Sequence, residues 1–145
     1  MSWQENILTS DAAIANLLRE TKRIAVLGIK PESHSSQPAY YVPRYMQQAG
    51  FEIVPVPVYY PEVTEIMGEK VFRDLRDVPG SIDMVNVFRR DTDIMRHVDE
   101  IIDARPKSVW FQLGIRNDIA AEAFAREGIK VVQNLCLMVE HRALG

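Results

Sequence analysis

IAVLGIKPESHSSQPAYYVPRY, residues Ile24 to Tyr45, holds a strand, one glycine, a polar loop and the start of a helix. Ile24–Leu27 is apolar and too short for a helix, so it reads as a strand buried on both faces. The apolar run ends at Gly28, and a loop rich in Pro and Ser follows. From Ala39 to Gln48 the pattern turns helical, with Tyr41, Tyr45, Met46 and then Ala49 on one stripe. That helix requires Pro43 to lie in its first turn, and Gly50 is its C-terminal cap. A strand feeding a glycine and then a helix suits an anion, because unpaired N–H groups and the helix dipole converge at the helix start.

The flanking segments repeat the alternation. Ser10 and Asp11 cap a helix carrying Ile14, Leu17 and Leu18 that stops near Lys22. FEIVPVPV (51–58) is a second strand, ending around Pro55 or Pro57 because proline cannot donate to a ladder. Residues 59–81 are weakly patterned: PEVTEIMG suggests one helical turn, and KVFRDLRDVPG a short strand and turn. IDMVNVF (82–88) is the next strand. Asp91 then caps a helix with Ile94, Met95, Val98, Ile101 and Ile102 on one side. SVWFQLGI (108–115) is a strand, followed by a helix from Asn117 through Ala120, Ala123 and Phe124 to Gly128. IKVVQN is the last strand and LCLMVEHRAL a closing helix. Strand alternating with helix predicts an α/β chain: a Rossmann-like, doubly wound parallel sheet, with residues 1–145 as one domain. Ligands of such sheets bind at the carboxyl ends of the strands, near the point where strand order reverses. The loop after Gly28 belongs there.

Composition narrows the class. The 145 residues are 47% hydrophobic and 26% charged, as in ordinary globular proteins, with a formal net charge of −3. That balance speaks against nucleic acid and anionic membrane as partners. A single cysteine, Cys136, cannot form an intrachain disulfide and suits a reducing compartment. The N-terminal MSWQENILTSDAA lacks the basic start and apolar core of a signal peptide, and no apolar run reaches the roughly 18–20 residues of a membrane span. The expected location is the cytoplasm.

In the loop, Gly28 permits a sharp turn and close approach to a ligand. Ser33, Ser35 and Ser36 add hydroxyls, and Lys30 and His34 add charge. The plainer reading is a surface loop, where Gly, Pro and Ser are common anyway. Classical NAD binding is not supported. Its fingerprint needs three glycines opening directly into a helix and an acid roughly 20 residues on. Here Gly28 stands alone, and Glu52 falls at the wrong end of its strand. VFRRDTD offers more: Arg89 and Arg90 follow Phe88 where a crevice residue belongs. Ring stacking and a guanidinium fork suit a phosphorylated adenosine, although both arginines could simply be solvated.

The segments IAVLG, PAYYVPRYMQQAGFEIVPV, IDMVNVFRR, VWFQLGIRND and GIKVVQNLCLMVEH, in this order and spacing, resemble the small stand-alone CoA-binding family. The fold of that family is similar to the N-terminal nucleotide-binding domain of the succinyl-CoA synthetase α subunit. The resemblance spans Ala12 to Arg142 and implies coenzyme A or an acyl-CoA as the small-molecule ligand. It assigns Gly28, Ile29, Lys30 and the loop through Ser36, with Ser33 and Ser35, to the pyrophosphate. Tyr41, Val42 and Arg44 fall in the adjoining helix. Pro55 and Val56 flank the adenosine, with Val87, Phe88 and Arg89 opposite, while Gln112, Gly114 and Ile115 close the crevice. The chain departs from the family pattern at three places. Lys30 stands for a usual serine, Pro57-Val58 for Asn-Pro, and Asn134-Leu135 for the charged pair before Cys136. A Gly28→Val substitution is expected to abolish binding and leave the fold intact.

Two other readings remain. A thioester-handling enzyme would use Cys136, with Glu140 and His141 nearby on a short helix; a nucleophilic thiol needs a base in reach and a lowered pKa. As a small buried hydrophobe, Cys136 would be inert. A docking subunit with a vestigial pocket would present the VWFQLGI edge or the C-terminal helix to a protein partner. No metal site is expected, because His34, His97 and His141 are scattered. His97 is placed on the outer face of its helix, and Trp110, Phe111, Met46, Met95 and Met138 are read as packing. The succinyl-CoA synthetase α subunit works with a second, phosphorylated domain for which this chain has no room, so binding without an evident reaction is the reading adopted.

Overall fold

The computed structural model describes residues 2–145. Its main elements in chain order are α1 (Asp11–Glu20), β1 (Arg23–Leu27), α2 (Pro38–Gln48) and β2 (Glu52–Val56), then the short strands β3 (Glu65–Ile66) and β4 (Glu69–Lys70). They continue with β5 (Met84–Val87), α3 (Val98–Ala104), β6 (Ser108–Phe111), α4 (Asp118–Arg126), β7 (Lys130–Val132) and α5 (Leu137–Arg142). Five strands form one parallel sheet in the order β2-β1-β5-β6-β7, the arrangement expected of a doubly wound α/β fold.

Period-two alternation on a sheet covered on both sides explains why these strands are apolar throughout. Ala25, Leu27, Val85, Val87, Val109 and Phe111 face a core built with Ile101 of α3 and Phe124 of α4. Ile24, Val26, Met84 and Trp110 face the other core, with Leu17 and Leu18 of α1, Val42 and Met46 of α2 and Leu137 of α5. Trp110 and Phe111 are wholly buried, as expected. Met46 is buried too and Met138 packs partly buried against the second core, but Met95 is exposed, so the packing expected of Met95 is corrected. The sheet edges are blunted: β2 carries Pro55, and Ile7 bridges Val131 of β7 while the Leu8 N–H donates to the Val131 carbonyl at 2.8 Å. β6 lies between β5 and β7, so VWFQLGI is no edge and cannot dock a partner as one.

Helix ends follow their caps. Ser10 accepts from the Ala13 N–H and Asn117 from the Ala120 N–H. After α2, the Phe51 N–H reaches back to the Met46 carbonyl and the Gly50 N–H to that of Gln47; this paired closure needs the positive φ of Gly50. Three expectations fail. Pro43 lies in the second turn of α2, not the first. Its missing N–H leaves the Ala39 carbonyl free of an intrahelical partner, and that oxygen accepts from the Lys30 N–H at 3.1 Å instead. The proline therefore ties the loop after β1 to the helix. PEVTEIMG forms no helical turn: β3 and β4 pair antiparallel across Met67-Gly68, both at positive φ, as a two-residue hairpin turn demands. Asp91 caps no helix either; a 3-10 turn over Ile94–His97 precedes α3, and the Asp91 carboxylate accepts from its neighbour Thr92.

At the amino ends of the strands, Asp83 accepts from the N–H groups of Lys22 and Arg23 at 3.0 and 2.9 Å, with the Lys107 ammonium at 3.3 Å. Burial pushes this carboxyl upward, but these donors outweigh it and hold its pKa below the ordinary aspartate value. A depressed folded pKa contributes stability that is present above the unfolded value and lost as pH falls through the folded one. Asp83→Asn should therefore cost about 1–3 kcal/mol at neutral pH, and less at about pH 3, below the unfolded value, where the charge contribution begins to be lost. Urea unfolding of both proteins at the two pH values checks this. A deficit equal at both would show that the carboxylate charge is not what holds the strand ends.

Candidate functional site

Strand order reverses between β1 and β5: the chain leaves β1 through α2 to β2 on one side, then crosses back to β5 on the other. Three segments meet beyond the carboxyl ends there: the loop 29–37, the turn after β2, and residues 88–97 after β5.

Gly28 is the hinge of this seam. It has φ +88°, its N–H donates to the Val56 carbonyl at 2.9 Å, and the next crossing bond runs from the Phe88 N–H to the Leu27 carbonyl. A Cβ at Gly28 would stand 2.3 Å from the Phe88 carbonyl oxygen and 3.4 Å from Cδ of Arg89. The residue is demanded by the approach of two backbones, and its N–H is already committed. The expectation that Gly28→Val spares the fold is thereby corrected.

The loop is tied down on several sides. Ile29 is buried in the core beneath it. The Lys30 ammonium donates to the Gln37 side-chain carbonyl, beside the start of α2. Glu32 accepts from the Met67 N–H at 2.7 Å, joining the loop to the β3–β4 hairpin. Ser33 Oγ lies 2.9 Å from His34 Nδ1, and the His34 ring packs against Tyr60 at 5.1 Å. Ser35 and Ser36 are exposed. Among the described residues, α2 is the one α-helix with no acidic residue in its first turn, and Gln37 makes no side-chain cap. Its dipole end is left uncompensated. Tyr41 projects outward from α2, whereas Arg44 is bound to Gln47 further along the same helix. Pro55 and Val56 are buried in β2.

Opposite the loop, Phe88 is half-buried and Arg89 is only 8% exposed. The Arg89 Nε–H donates to His97 Nε2 at 3.2 Å, and Nη1 reaches the Tyr59 hydroxyl at 3.4 Å. An acceptor at Nε2 places the ring proton of His97 on Nδ1, which faces Glu100 Oε1 at 3.0 Å. Glu100 also accepts from the Leu75 N–H; burial raises its pKa, but His97 and this N–H overcome that and lower it. Asp93 is buried among three guanidinium groups: Arg90 at 3.0 Å, Arg89 at 3.8 Å and Arg96 at 3.8 Å. The hydrogen bond from Arg90 is the main reason its carboxyl stays below the usual range. Arg89 lowers the Tyr59 hydroxyl pKa through the bond between them and through its charge.

On the β6 side, Gln112 is buried and accepts from the Leu137 N–H at 3.3 Å and from Asn86 Nδ2 at 3.5 Å. Gly114 N–H donates to Asn134 Oδ1, and Ile115 packs against the α3–α4 core. These residues therefore brace β6 against α5 and the sheet. Asn86 Oδ1 is buried without a hydrogen-bond partner.

The sequence reading missed Asp93, His97, Glu100 and Tyr59. His97 does not sit on an outer face; it orients Arg89. The spacing of Asp93 and His97 at four and eight residues after Arg89 was visible, but it points into the crevice only because the chain turns at 90–93 rather than entering a helix. Cys136 precedes α5 and is partly buried, while His141 Nδ1 pairs with the Tyr45 hydroxyl at 2.8 Å and its ring packs on Phe51. Among the described residues no hydrogen bond joins Cys136 to His141. No helix among them is long and apolar enough to cross a membrane.

Comparison with known proteins agrees with this architecture. YneT of Bacillus subtilis (strain 168), an uncharacterised protein, is 34% identical over 132 residues, covering 91% of this chain and 94% of its own. A solved structure from Thermus thermophilus is 37% identical with a TM-score of 0.85, covering 94% of this chain and all of that one. A hypothetical protein from Pyrococcus horikoshii OT3 is 30% identical with a TM-score of 0.83, covering 94% of each chain. The sequence model of the CoA binding domain matches residues 22–142, so this chain, with its reversal point between β1 and β5, belongs to that family.

Proposed function

We propose that the chain binds coenzyme A, or an acyl-CoA, in the crevice between the loop after β1 and the segment after β5, acting as one domain over its whole length. The observation that carries this reading is Arg89. It is a buried cation whose nearest carboxylate, Asp93, is shared with Arg90 and Arg96, and its remaining contacts are neutral. A buried charge so incompletely neutralised favours an incoming anion. Across the seam, Lys30 and the uncompensated start of α2 offer a second anion-binding point suited to a diphosphate. Phosphates at both points match a ligand that carries a 5′-diphosphate and a 3′-phosphate on one adenosine.

In this reading Lys30 leaves Gln37 to meet the diphosphate, the hydroxyls of Ser33, Ser35 and Ser36 donate to it, and Arg89 holds the adenosine end. Calorimetric titration of ligand-stripped protein with CoA should show saturable binding at one site, and 3′-dephospho-CoA should compete more weakly. Absence of heat and of competition up to about 1 mM CoA, where binding is worth only about 4 kcal/mol, would overturn the proposal.

A further inference from the structure

The turn between β2 and β3 carries an exposed aromatic that is fixed in place. Tyr59 is 60% exposed, yet the Arg89 guanidinium lies over its ring at 5.6 Å from the centroid and meets its hydroxyl. Tyr60 meets its edge at 6.5 Å, with the two rings nearly perpendicular. The backbone beneath is held as well. The Arg73 guanidinium donates to the carbonyls of Tyr59, Tyr60 and Val63 at 3.0, 2.7 and 2.6 Å. Tyr60 sits at φ +65°, a conformation costly for an aromatic residue. Its ring reaches across to His34 in the loop after β1. The two tyrosines thus join both walls of the crevice.

Singly exposed aromatics are ordinary on protein surfaces and need no explanation. This one differs in that a buried cation holds its hydroxyl end, a clamp holds its backbone, and the exposure remains at the crevice mouth. An aromatic face presented in one orientation suits a flat π-system, and the adjacent cation suits a phosphate on the same ligand.

We propose that Tyr59 is the stacking platform for the adenine base, its exposed ring face covering the base while Arg89 holds the hydroxyl end. This rests on the CoA reading above and extends it to the base-recognition residue. Stacking tolerates any base, so the site selects a nucleotide by its ring and its phosphates rather than by base edges.

The experiment titrates wild type, Tyr59→Phe and Tyr59→Ala with 1,N6-etheno-CoA, whose emission is quenched on stacking, and with 4′-phosphopantetheine, which has no base. Wild type and Tyr59→Phe should quench the probe and bind it with similar affinity. Tyr59→Ala should lose the quenching and bind it roughly tenfold or more weakly. Its affinity for 4′-phosphopantetheine should not change. Tyr59 is largely exposed, so the alanine variant is expected to fold, and its urea midpoint checks that. If wild type binds the probe and a folded Tyr59→Ala binds and quenches it equally, the platform is overturned and the CoA reading stands. If Tyr59→Ala weakens both ligands equally, Tyr59 acts on the crevice generally and the platform is likewise overturned. If wild type binds neither ligand, both readings fall together.

Discussion

Gly28→Ala is expected to be among the most destabilising single substitutions available in this chain. One methyl group there would lie 2.3 Å from the Phe88 carbonyl oxygen, well inside van der Waals contact, on backbone at φ +88°. The left-handed conformation alone costs an L-residue about 1–2 kcal/mol. The clash adds to that because neither partner is a flexible side chain. The Gly28 N–H is bonded to Val56 and the Phe88 N–H to Leu27, so relief requires β1 to part from β2 or β5. A total loss of about 3–5 kcal/mol follows, against the roughly 5–15 kcal/mol that holds an ordinary domain together. Valine would be worse. The urea midpoint reads this directly, and a Gly28→Ala variant unfolding at the wild-type midpoint would show that the seam is looser than drawn. A failure of such a variant to bind CoA would accordingly say nothing about phosphate contacts. Lys30 is the better probe of the loop, since among the described residues its ammonium holds only Gln37.

The second large effect should come from Arg89→Met, and it should fall on binding rather than on folding. Methionine keeps much of the buried aliphatic stem and removes the charge. Asp93 retains Arg90 and Arg96, so no carboxylate is stranded in the interior. The folding loss is limited to the donors to His97 and Tyr59, about 1 kcal/mol. A charge-assisted bond to a phosphate is worth about 1.5–3 kcal/mol, which predicts CoA binding weaker by roughly 10- to 100-fold. Arg89→Lys should restore only part of it, because a point charge cannot serve His97, Tyr59 and a phosphate with one planar fork. Equal CoA affinity in Arg89→Met and wild type would remove Arg89 from the site. The same titration at higher salt separates an ionic contact, which weakens, from apolar burial, which does not.

The α/β architecture was legible because its signals are local. Ile24–Leu27, Met84–Val87 and Ser108–Phe111 are short, mostly apolar runs, and such runs have few homes outside a sheet covered on both faces. Ser10, Asn117, Gly50 and Gly128 mark helix ends by chemistry that acts within four residues. The family could be read from the same segments, since their order is a property of the chain. Other features depend on partners distant in sequence. Pro43 can sit in the second turn of α2 only because the Lys30 N–H takes the carbonyl it orphans. The hairpin at Met67-Gly68 needs Glu32 to receive the Met67 N–H, and no local preference puts methionine at positive φ. The place of Gly28 at the end of β1 was readable, but its purpose was not, because the atom that forbids a side chain belongs to Phe88, sixty residues on. His97 and Tyr59 are ordinary polar and aromatic residues in the chain. The crossover from β2 to β5 brings Tyr59 onto Arg89 thirty residues on, and the turn at 90–93 folds His97 back onto it, so both contacts are properties of the folded molecule.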